Sequence, residues 1–528
     1  MPDNTEKDLS GSSELGHPQR VATAKRGMVS SAHFRASEAG ARMFAEGGNA
    51  VDAAVATALA LGVCEPAASG LGGQTMMLIH VPGHRTVAID GSSRAPHRTP
   101  PAELSKKERL RGHRASTVPS TPAVLAYVQE QFGKLSWRQV MQPAIELAEN
   151  GYAVTELQQR LTLRELEHLR AGTAAPFFLK DGKEAYAVGE TLRQPVLAQT
   201  LRRLGEHGVQ DFYSGEIAKA IAADMERNNG LIQLDDLAQV PTPIERRPVG
   251  GRFGSMRVFT FPPPGAGRAL LYMLKLLDQF PAKRRQPDSR EGAIILAEII
   301  RRAMLDRRDR PVDPSFYPQI HDKRLLDDDY AQLVAKQIRT RIRTNGETTH
   351  LSTLDADGCG VALTQSIERV YGSFAASPDL GFLFNNYMSC FEHEDISHPY
   401  YLRPNAVPWA SVAPTIVMQG KRPRIVLGSP GSERIVSAIA QVLLRLENQS
   451  LMEAITAPRL HASLEGKVTL EASRMRSDIP TSLQKRGFQI QEVEPFSFYL
   501  GCVQAVMRER DGLLGVADLR RDGAAVGV

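Results

Sequence analysis

Residues Asn345-Gly346-Glu347-Thr348-Thr349-His350-Leu351-Ser352-Thr353-Leu354 mark a change of texture in this chain. Upstream runs a basic segment with Lys336, Arg339, Arg341 and Arg343, which reads as a helix end unravelling into a tether. Downstream, Leu351, Thr353 and Leu354 are answered by Val361 and Leu363 beyond an Asp357-Gly358 turn. That is the pattern of a β-hairpin. Thr348 therefore stands where a loose segment becomes the first strand of a sheet. β-Branched residues favour strands for packing reasons alone, so this position by itself assigns Thr348 no chemistry.

A chemical reading stands beside the packing one. The Thr348 hydroxyl can attack the carbonyl of Glu347, forming an ester that water cleaves. The new chain would then begin at Thr348 and carry both a nucleophile and a free α-amine. An α-amino group titrates at about 7.7–8.0, close to the pH at which a general base works best. A threonine hydroxyl activated by its own N-terminal amine is an established form of nucleophile.

The 528 residues exceed the size of a single hydrophobic core, so two lobes or one large layered domain are expected. Apolar residues make up 42% and charged residues 23%, as in an ordinary water-soluble protein. The net charge of +5, from 64 basic and 59 acidic residues, gives no reason to expect nucleic acid as a partner. Residues 1–20 are polar, with Asp3, Glu6, Asp8 and Glu14, and read as a disordered leader rather than a signal or anchor. No stretch approaches the roughly 20 apolar residues of a membrane span. Cys64, Cys359, Cys390 and Cys502 are scattered without CxxC spacing, which fits free thiols in a reducing cytoplasm.

Taken in order, Gly27 to His33 reads as a short strand, followed by a helix carrying Ala36, Ala39, Met43 and Phe44. Gly47-Gly48-Asn49 breaks it, and Ala50 to Leu61 reads as a buried alanine-rich helix. Ser69-Gly70-Leu71-Gly72-Gly73 leads into a strand over Met76 to His80; with no GKS, GKT or GxGxxG pattern, it is not a nucleotide cradle. From Ala102 to about Lys336 the pattern is mostly helical. Ser136 caps a helix stopping at Asn150-Gly151, Phe212 to Ser214 opens one ending at Asn229-Gly230, and a proline turn at Pro262 to Gly267 precedes one over Arg268 to Leu277. Lys283 to Pro287 reads as a solvated loop. After Thr348, strands are expected over Gly360–Thr364, Gly381–Phe384, Pro414–Met418 and Arg424–Leu427, then a helix over Arg434–Leu446. The tail segments Val468–Glu471, Phe488–Val493 and Val503–Val506 continue the sheet pattern, which makes the fold class a layered α/β arrangement.

Many of these residues together resemble the γ-glutamyltransferase family. In the first part the matches are His33, Ala36-Ser37, Gly47-Gly48-Asn49-Ala50-Val51-Asp52, Glu65-Pro66 and Ser69-Gly70-Leu71-Gly72-Gly73. Further along they are Phe212 to Gly215, Gly230-Leu231-Ile232, Pro262 to Pro264 and Asp313 to Phe316. The last third matches at Thr348-Thr349-His350, Asp357-Gly358, Thr364-Gln365-Ser366, Asn385-Asn386, Pro414-Thr415-Ile416 and Gly428 to Gly431. The resemblance implies an N-terminal-nucleophile hydrolase with an αββα sandwich and a helical lobe in its large fragment. It implies self-cleavage between Glu347 and Thr348, giving a large fragment 21–347 and a small catalytic fragment 348–528. The two would stay associated, with a dimer of such heterodimers as an open alternative. Thr348 would be the nucleophile, with Ser366 where the family has a threonine bonding the nucleophile's amine. Gly431 and Ser432 would supply the oxyanion-hole amides, serine replacing a glycine.

The recognition residues depart from the family. Ser92 stands where an arginine grips the glutamyl α-carboxylate, with Arg94 two residues along. Cys390 takes the place of the acid that holds the α-amino group, and Glu368 and Tyr387 replace Asn and Gln. The Ser-Ser pair that braces the carboxylate reads Ala410-Ser411, and the segment Phe391 to Pro408 is shorter than the family's lid. Losing a bidentate arginine is a large loss of carboxylate recognition. Cys390 lacks a paired histidine, and His393-Glu394-Asp395 with His398 lacks a helical metal spacing, so neither a cysteine nucleophile nor a metal is expected. No cofactor is implied. The favoured reading is an autoprocessed amidohydrolase or acylase, with relatives such as oxamate amidohydrolases and cephalosporin acylases, acting on a small amide with water or an amine as acceptor. The alternatives are a genuine γ-glutamyl hydrolase or transferase, and a non-catalytic homologue that binds a metabolite or partner.

Overall fold

The computed structural model describes residues 19–83, 85–100, 104–240, 242–309, 311 and 348–528. Residues 1–18 of the leader and the basic tether with Glu347 lie outside the described residues, whereas Gln19 and Arg20, read as leader, are hydrogen-bonded to Ala525 and Ala517. Fourteen strands build two sheets. Before Thr348 they are β1 (Val21–Ala24), β2 (Gly27–Ser31), β3 (Gln74–His80), β4 (Thr86–Gly91), β5 (Ile244–Arg246), β6 (Val249–Phe253) and β7 (Met256–Thr260). After it come β8 (Thr349–Asp355), β9 (Gly360–Ser366), β10 (Thr415–Gln419), β11 (Arg422–Gly428), β12 (Gln504–Arg508), β13 (Leu513–Ala517) and β14 (Ala524–Gly527). One sheet runs β1-β13-β12-β11-β10-β7-β6, the other β14-β2-β8-β9-β3-β4-β5. Each sheet therefore draws strands from both sides of Thr348.

Strand alternation places the layers. Met76, Leu78, Leu354 and Ala362 face inward and meet Ile416, Val426 and Val506 of the opposite sheet. Their neighbours Met77, Ile79, Val361 and Leu363 face outward. Strands buried on both faces read as continuous apolar runs, because each successive side chain has its own core to fill. On the outer face of the second sheet lie α1 (Phe34–Ala45), α2 (Ala50–Cys64) and α3 (Trp137–Asn150). The first sheet is covered by α4 (Gly267–Asp278), α5 (Arg290–Asp309) and α6 (Arg434–Arg445). The result is the expected αββα sandwich.

Local chemistry sets the helix ends. Asn49 caps α2 in a capping box with Asp52, and Ser136 does the same for α3 with Gln139. α2 is apolar all round and buried along nearly its whole length. α1 crosses it at Gly40, where a Cβ would stand 2.1 Å from Thr57 Oγ1.

Several expectations need correction. Strands β5 to β7 lie inside the stretch read as helical. The helix expected from Phe212 is two, Gln210–Ser214 and Glu216–Arg227. They part at Gly215 because the Asp211 carboxylate turns to accept from Glu216 N at 3.2 Å and caps the second. Gly381–Phe384 is not a strand; it makes only isolated bridges, Gly72 with Phe384 and Ala376 with Leu383. The solvated loop at 283–287 contains a buried residue, Arg285, which pairs with Asp278 and Glu447 and covers the Phe253 ring. The tail segments 467–470 and 489–492 do not extend the sandwich; with Leu460–Ala462 they form a separate three-stranded sheet.

A buried ionic cluster ties this small sheet to the sandwich. Arg520 contacts Glu471 at 2.7 Å and Asp518 at 3.0 Å, and Arg459 contacts Asp518 at 2.6 Å. Burial opposes ionisation of Asp518, but Arg459 and Arg520 outweigh it and hold the carboxyl below its usual range. Asp518→Asn should therefore destabilise the protein by ~3–5 kcal/mol at neutral pH, since it strands a buried arginine. A depressed folded value gives stability above about pH 4 that is lost as pH falls through it. Urea melts of wild type and variant should converge in acid; a gap that persists unchanged below pH 3 would contradict the assignment.

Candidate functional site

β8 begins at Thr349, which pairs with Gln365 of β9, so Thr348 stands level with Ser366 just outside the ladder. Thr348 is buried, at 4% exposure. The next two residues anchor it. Thr349 Oγ1 donates to the Glu65 carboxylate, which also holds Arg521. His350 shares hydrogen bonds with Thr364 Oγ1 at 2.8 Å and Ser352 Oγ at 3.1 Å. Burial pushes the His350 imidazole down to about 3, so it is neutral and structural, as its place in the strand suggested. Its ring fills the space over Gly428, where a Cβ would lie 2.2 Å from Cε1.

The glycine-rich loop at 69–73 serves close packing rather than phosphate binding. A Cβ on Gly73 would be 2.4 Å from the Ser366 carbonyl oxygen, and one on Gly72 would be 2.1 Å from that of Leu383. Ser69 Oγ accepts from Gln365 Nε2 at 3.0 Å. The loop thus presses the end of β9 against the segment after Leu383. There Asn385 accepts from Thr117 N and Tyr387 N, and Asn386 accepts from Arg369 N. These amides fix the two turns that carry Glu368 and Tyr387.

Around Ser366 the structure gathers three other residues singled out in the sequence. Ser366 Oγ accepts from Glu368 N at 2.8 Å. The buried Tyr387 hydroxyl shares a hydrogen bond with Ser366, and burial pushes its phenol up, with the Glu368 charge adding to the effect. The Cys390 thiol donates to Glu368; burial first, then that carboxylate, raise it well above its usual range. Cys390 is therefore a protonated thiol and not a nucleophile.

Gly431 and Ser432 lie on the turn between β11 and α6. Gly431 has φ +119° and Ser432 φ +54°. Their carbonyls accept from Arg434 N and Ile435 N, both at 3.0 Å, and so start the helix. Neither of their own N–H groups meets an acceptor among the described residues. Two free amides at a helix N-terminus suit a developing negative charge. The turn is braced from behind by Cys502 N, which donates to Ser429 Oγ at 2.9 Å.

The other candidate residues fall elsewhere. Ser92 Oγ donates to Asp90 at 2.5 Å, and Asp90 is paired with Arg246 at 2.6 Å. Arg94 donates to the Asn405 carbonyl at 3.2 Å. Ser92 and Arg94 line a side cavity with Asp90 and Arg246 rather than joining Glu368 and Cys390. Ser411 lies beside Arg307, a residue the sequence gave no reason to single out. Also unforeseen is a cleft of about 240 Å³ lined by Arg111, Arg164, Arg369 and Arg434. Arg369 follows Glu368 and Arg434 opens α6, so this basic cleft borders both the Glu368 turn and the Gly431-Ser432 turn. His393 and His398 form no metal-ligand group; among the described residues only His97, Asp235 and Asp236 cluster, and Asp235 is paired with Arg98 at 2.8 Å.

The chain matches the family model described as Gamma-glutamyltranspeptidase over residues 36–528. The glutathione hydrolase proenzyme of Escherichia coli (strain K12) is 32% identical, covering 96% of this chain and 92% of that protein. The Acylase ACY 1 proenzyme of Pseudomonas sp. (strain V22) is 30% identical, covering 97% and 95%. Among solved structures, the cephalosporin acylase from Bacillus halodurans superposes with a TM-score of 0.89 at 27% identity, covering 100% of this chain and 99% of that one.

Two substitutions probe this geometry. Ser432→Gly removes a Cβ from a left-handed residue and should keep activity while adding up to about 1 kcal/mol of stability. Ser432→Pro, which deletes the N–H, should lower kcat about 10²–10³-fold. Gly428→Ala forces a methyl into the His350 ring and should cost about 1–3 kcal/mol in thermal or urea melts. An unchanged melting profile for Gly428→Ala would show that His350 is not pinned as described.

Proposed function

Because this chain belongs to the gamma-glutamyltranspeptidase family, and is accordingly an N-terminal-nucleophile enzyme, we propose that it matures by self-cleavage before Thr348 and then hydrolyses or transfers the acyl group of a small amide. The observation that carries this reading is the position of Thr348, level with Ser366 at the head of a central strand. In maturation, Thr348 Oγ attacks the Glu347 carbonyl and the peptide C–N bond breaks. The acyl group moves from nitrogen to oxygen as the hydroxyl proton passes to nitrogen, which frees the Thr348 α-amine, and water then cleaves the ester to release the Glu347 carboxylate and the Thr348 hydroxyl. In turnover that amine takes the hydroxyl proton as Oγ attacks the substrate carbonyl. The N–H groups of Gly431 and Ser432 meet the oxyanion, and the leaving amine departs with the proton. Water or an acceptor amine then releases the acyl group by the same route. Ser366, supported by Tyr387, orients the α-amine.

The interleaving of strands supports a lasting association of the two fragments. β8 pairs with β2 and β9 pairs with β3, so separating them would break the central ladders of one sheet. The acyl pocket is read as altered because Ser92 is committed to Asp90 and the Cys390 thiol to Glu368. A γ-glutamyl donor needs a cation for its α-carboxylate and an anion for its α-ammonium, since each charge is partly desolvated on binding. Glu368 could serve the ammonium, and this keeps ordinary γ-glutamyl hydrolysis as the second reading.

Intact-mass analysis should find two chains in wild type, meeting between Glu347 and Thr348, and one in Thr348→Ala. Wild type that stays uncleaved on long incubation would remove the mechanism. The mature enzyme should turn over γ-glutamyl-p-nitroanilide poorly, and Ser92→Arg with Cys390→Asp should improve it. Efficient turnover of that anilide by the unmodified enzyme, with a micromolar KM, would instead establish the γ-glutamyl reading.

A further inference from the structure

Gln74, the first residue of β3, lies directly opposite Ser366, the last of β9. Cross-strand partners project to the same face of a sheet, with Cβ atoms about 4.5–5.5 Å apart. Gln74 therefore belongs to the surroundings of Thr348, although no motif in the sequence drew attention to it. Chemistry fixes which way its amide points. Oε1 accepts from Ser93 N at 2.8 Å and from Ser93 Oγ at 3.0 Å. A backbone N–H can only donate, so the amide oxygen must lie on that side and the NH2 group on the other. There Nε2 is buried, meets no acceptor at full hydrogen-bond geometry among the described residues, and faces the Tyr387 hydroxyl.

Gln74 and Tyr387 are also joined from behind. Thr117 Oγ1 donates to Ser93 Oγ at 2.8 Å, Thr117 N donates to Asn385 Oδ1 at 3.0 Å, and the same oxygen accepts from Tyr387 N at 3.1 Å. This ring, from Gln74 through Ser93, Thr117 and Asn385 to Tyr387, is buried throughout. The hydrogen directions then follow. Burial pushes the Tyr387 phenol up, so it keeps its hydrogen. A phenol that accepts from Gln74 turns that hydrogen to Ser366 Oγ, which already accepts from Glu368 N at 2.8 Å. A hydroxyl oxygen has two acceptor positions and one hydrogen. With both positions taken, Ser366 can only donate onward.

We propose that Gln74 is a positioning residue for the nucleophile: by donating to Tyr387 it sets the direction of a relay from Gln74 through Tyr387 to Ser366, in which Ser366 donates to the Thr348 α-amine. The inference rests on the amidohydrolase reading and deepens it. Only a neutral amine offers a lone pair to that hydrogen, so the relay favours the unprotonated state that takes the Thr348 hydroxyl proton. The ammonium formed in that step is then the better acid toward the leaving amine. The other titratable and charged groups around Thr348 are Glu368 on the turn after β9, the Cys390 thiol bonded to it, and the Glu65 and Arg521 pair that holds Thr349. Glu433 and Arg434 follow the Gly431-Ser432 turn. All of these stay the same when Gln74 or Tyr387 is changed.

The test compares mature wild type with Gln74→Met, Tyr387→Phe and the double variant, each checked for folding by thermal melts. Methionine keeps the length of the side chain and removes its amide. The donor is glutaryl- or γ-glutamyl-p-nitroanilide, whichever wild type turns over faster. Tyr387→Phe should lower kcat about tenfold with KM within about twofold. It should also move the acid limb of the pH profile of kcat/KM up by about half a unit or more, because Ser366 can then accept from the ammonium. Gln74→Met should act in the same direction and less strongly, and the double variant should match Tyr387→Phe alone. In parallel, neutron diffraction from deuterium-exchanged wild-type crystals should show a Gln74 amide deuterium directed at the Tyr387 oxygen and the Tyr387 deuterium directed at Ser366 Oγ. The proposal is overturned if the acid limb stays in place in Tyr387→Phe, if the two losses add in the double variant, if only KM changes, or if the Tyr387 deuterium points away from Ser366. Should Gln74→Met fail to fold, the Tyr387→Phe profile and the deuterium positions still decide. Should wild type stay uncleaved or turn over neither anilide, the amidohydrolase reading fails, and the deuterium positions still decide whether the relay exists.

Discussion

The central strand β8 is held from both sides. β2 pairs with it from Leu351 to Asp355, and β9 from Thr349 to Leu354. Because that strand is buried on both faces, a slip of one residue would exchange the sides on which Leu351 and Leu354 sit, and each has a different core to fill. The register is thereby fixed, and with it the residue left just beyond the first pair. Thr348 is immobilised by its neighbours while its own main chain stays outside the ladder. A nucleophile that must also present a free amine needs such a place: rigid on one side, unpaired on the other.

The parts that meet Thr348 are brought in by close backbone approach. Gly73 lies against Ser366, Gly72 against Leu383, Gly428 against His350, and Gly431 against Gly501. At each contact a side chain would separate two segments that the site needs together. Behind them, buried polar groups are linked to one another through side-chain amides and charges. Asn385 links the glycine loop, Thr117 and Tyr387. Asp518 accepts from Val503 N at 2.8 Å and is held by Arg459 and Arg520, steadying the segment that braces the Ser429 to Ser432 turn. Such a network is costly to break, because removing one member leaves another buried without a partner.

In the proposed mechanism, catalysis and recognition fall to different parts of the fold. Thr348, Ser366 and the Gly431-Ser432 amides sit on strand ends and one helix start, where geometry is set by the sandwich. The groups that would choose a substrate, namely Glu368, Cys390 and Ser411, come from loops. Loop residues can change without disturbing the core, which is how one scaffold supports unlike substrates. This division agrees with the likeness of the chain both to glutathione hydrolase proenzymes and to acylases.

Local chemistry made much of this legible in the sequence. The hairpin turn at Asp357-Gly358, the caps at Asn49 and Ser136, the all-round apolar α2 and the alternation of β3 and β9 each depend on residues a few positions apart, which is the range over which pattern carries information. The start of a strand drew attention to Thr348, the resemblance to the family pointed to Ser366 and the Gly431-Ser432 turn, and Cys390 and Glu368 could be named as departures from it. What the sequence could not give was pairing across distance. β5 to β7 are short and sit between helices, so their strand character comes from lying beside β4 and β10. Arg285 looked like part of a solvated basic run, and only the fold brings Asp278 and Glu447 to it. Arg94 stood two residues from Ser92 and seemed its natural substitute, yet the chain turns it toward Asn405. Arg307 stood out in no motif, and it meets Ala410 and Ser411 because α5 ends over them. Residue types and short-range periodicity determined which chemistry the chain carries; tertiary structure decided which charges were already matched, because matching depends on neighbours such as Glu447, which the chain brings to Arg285 from far along the sequence.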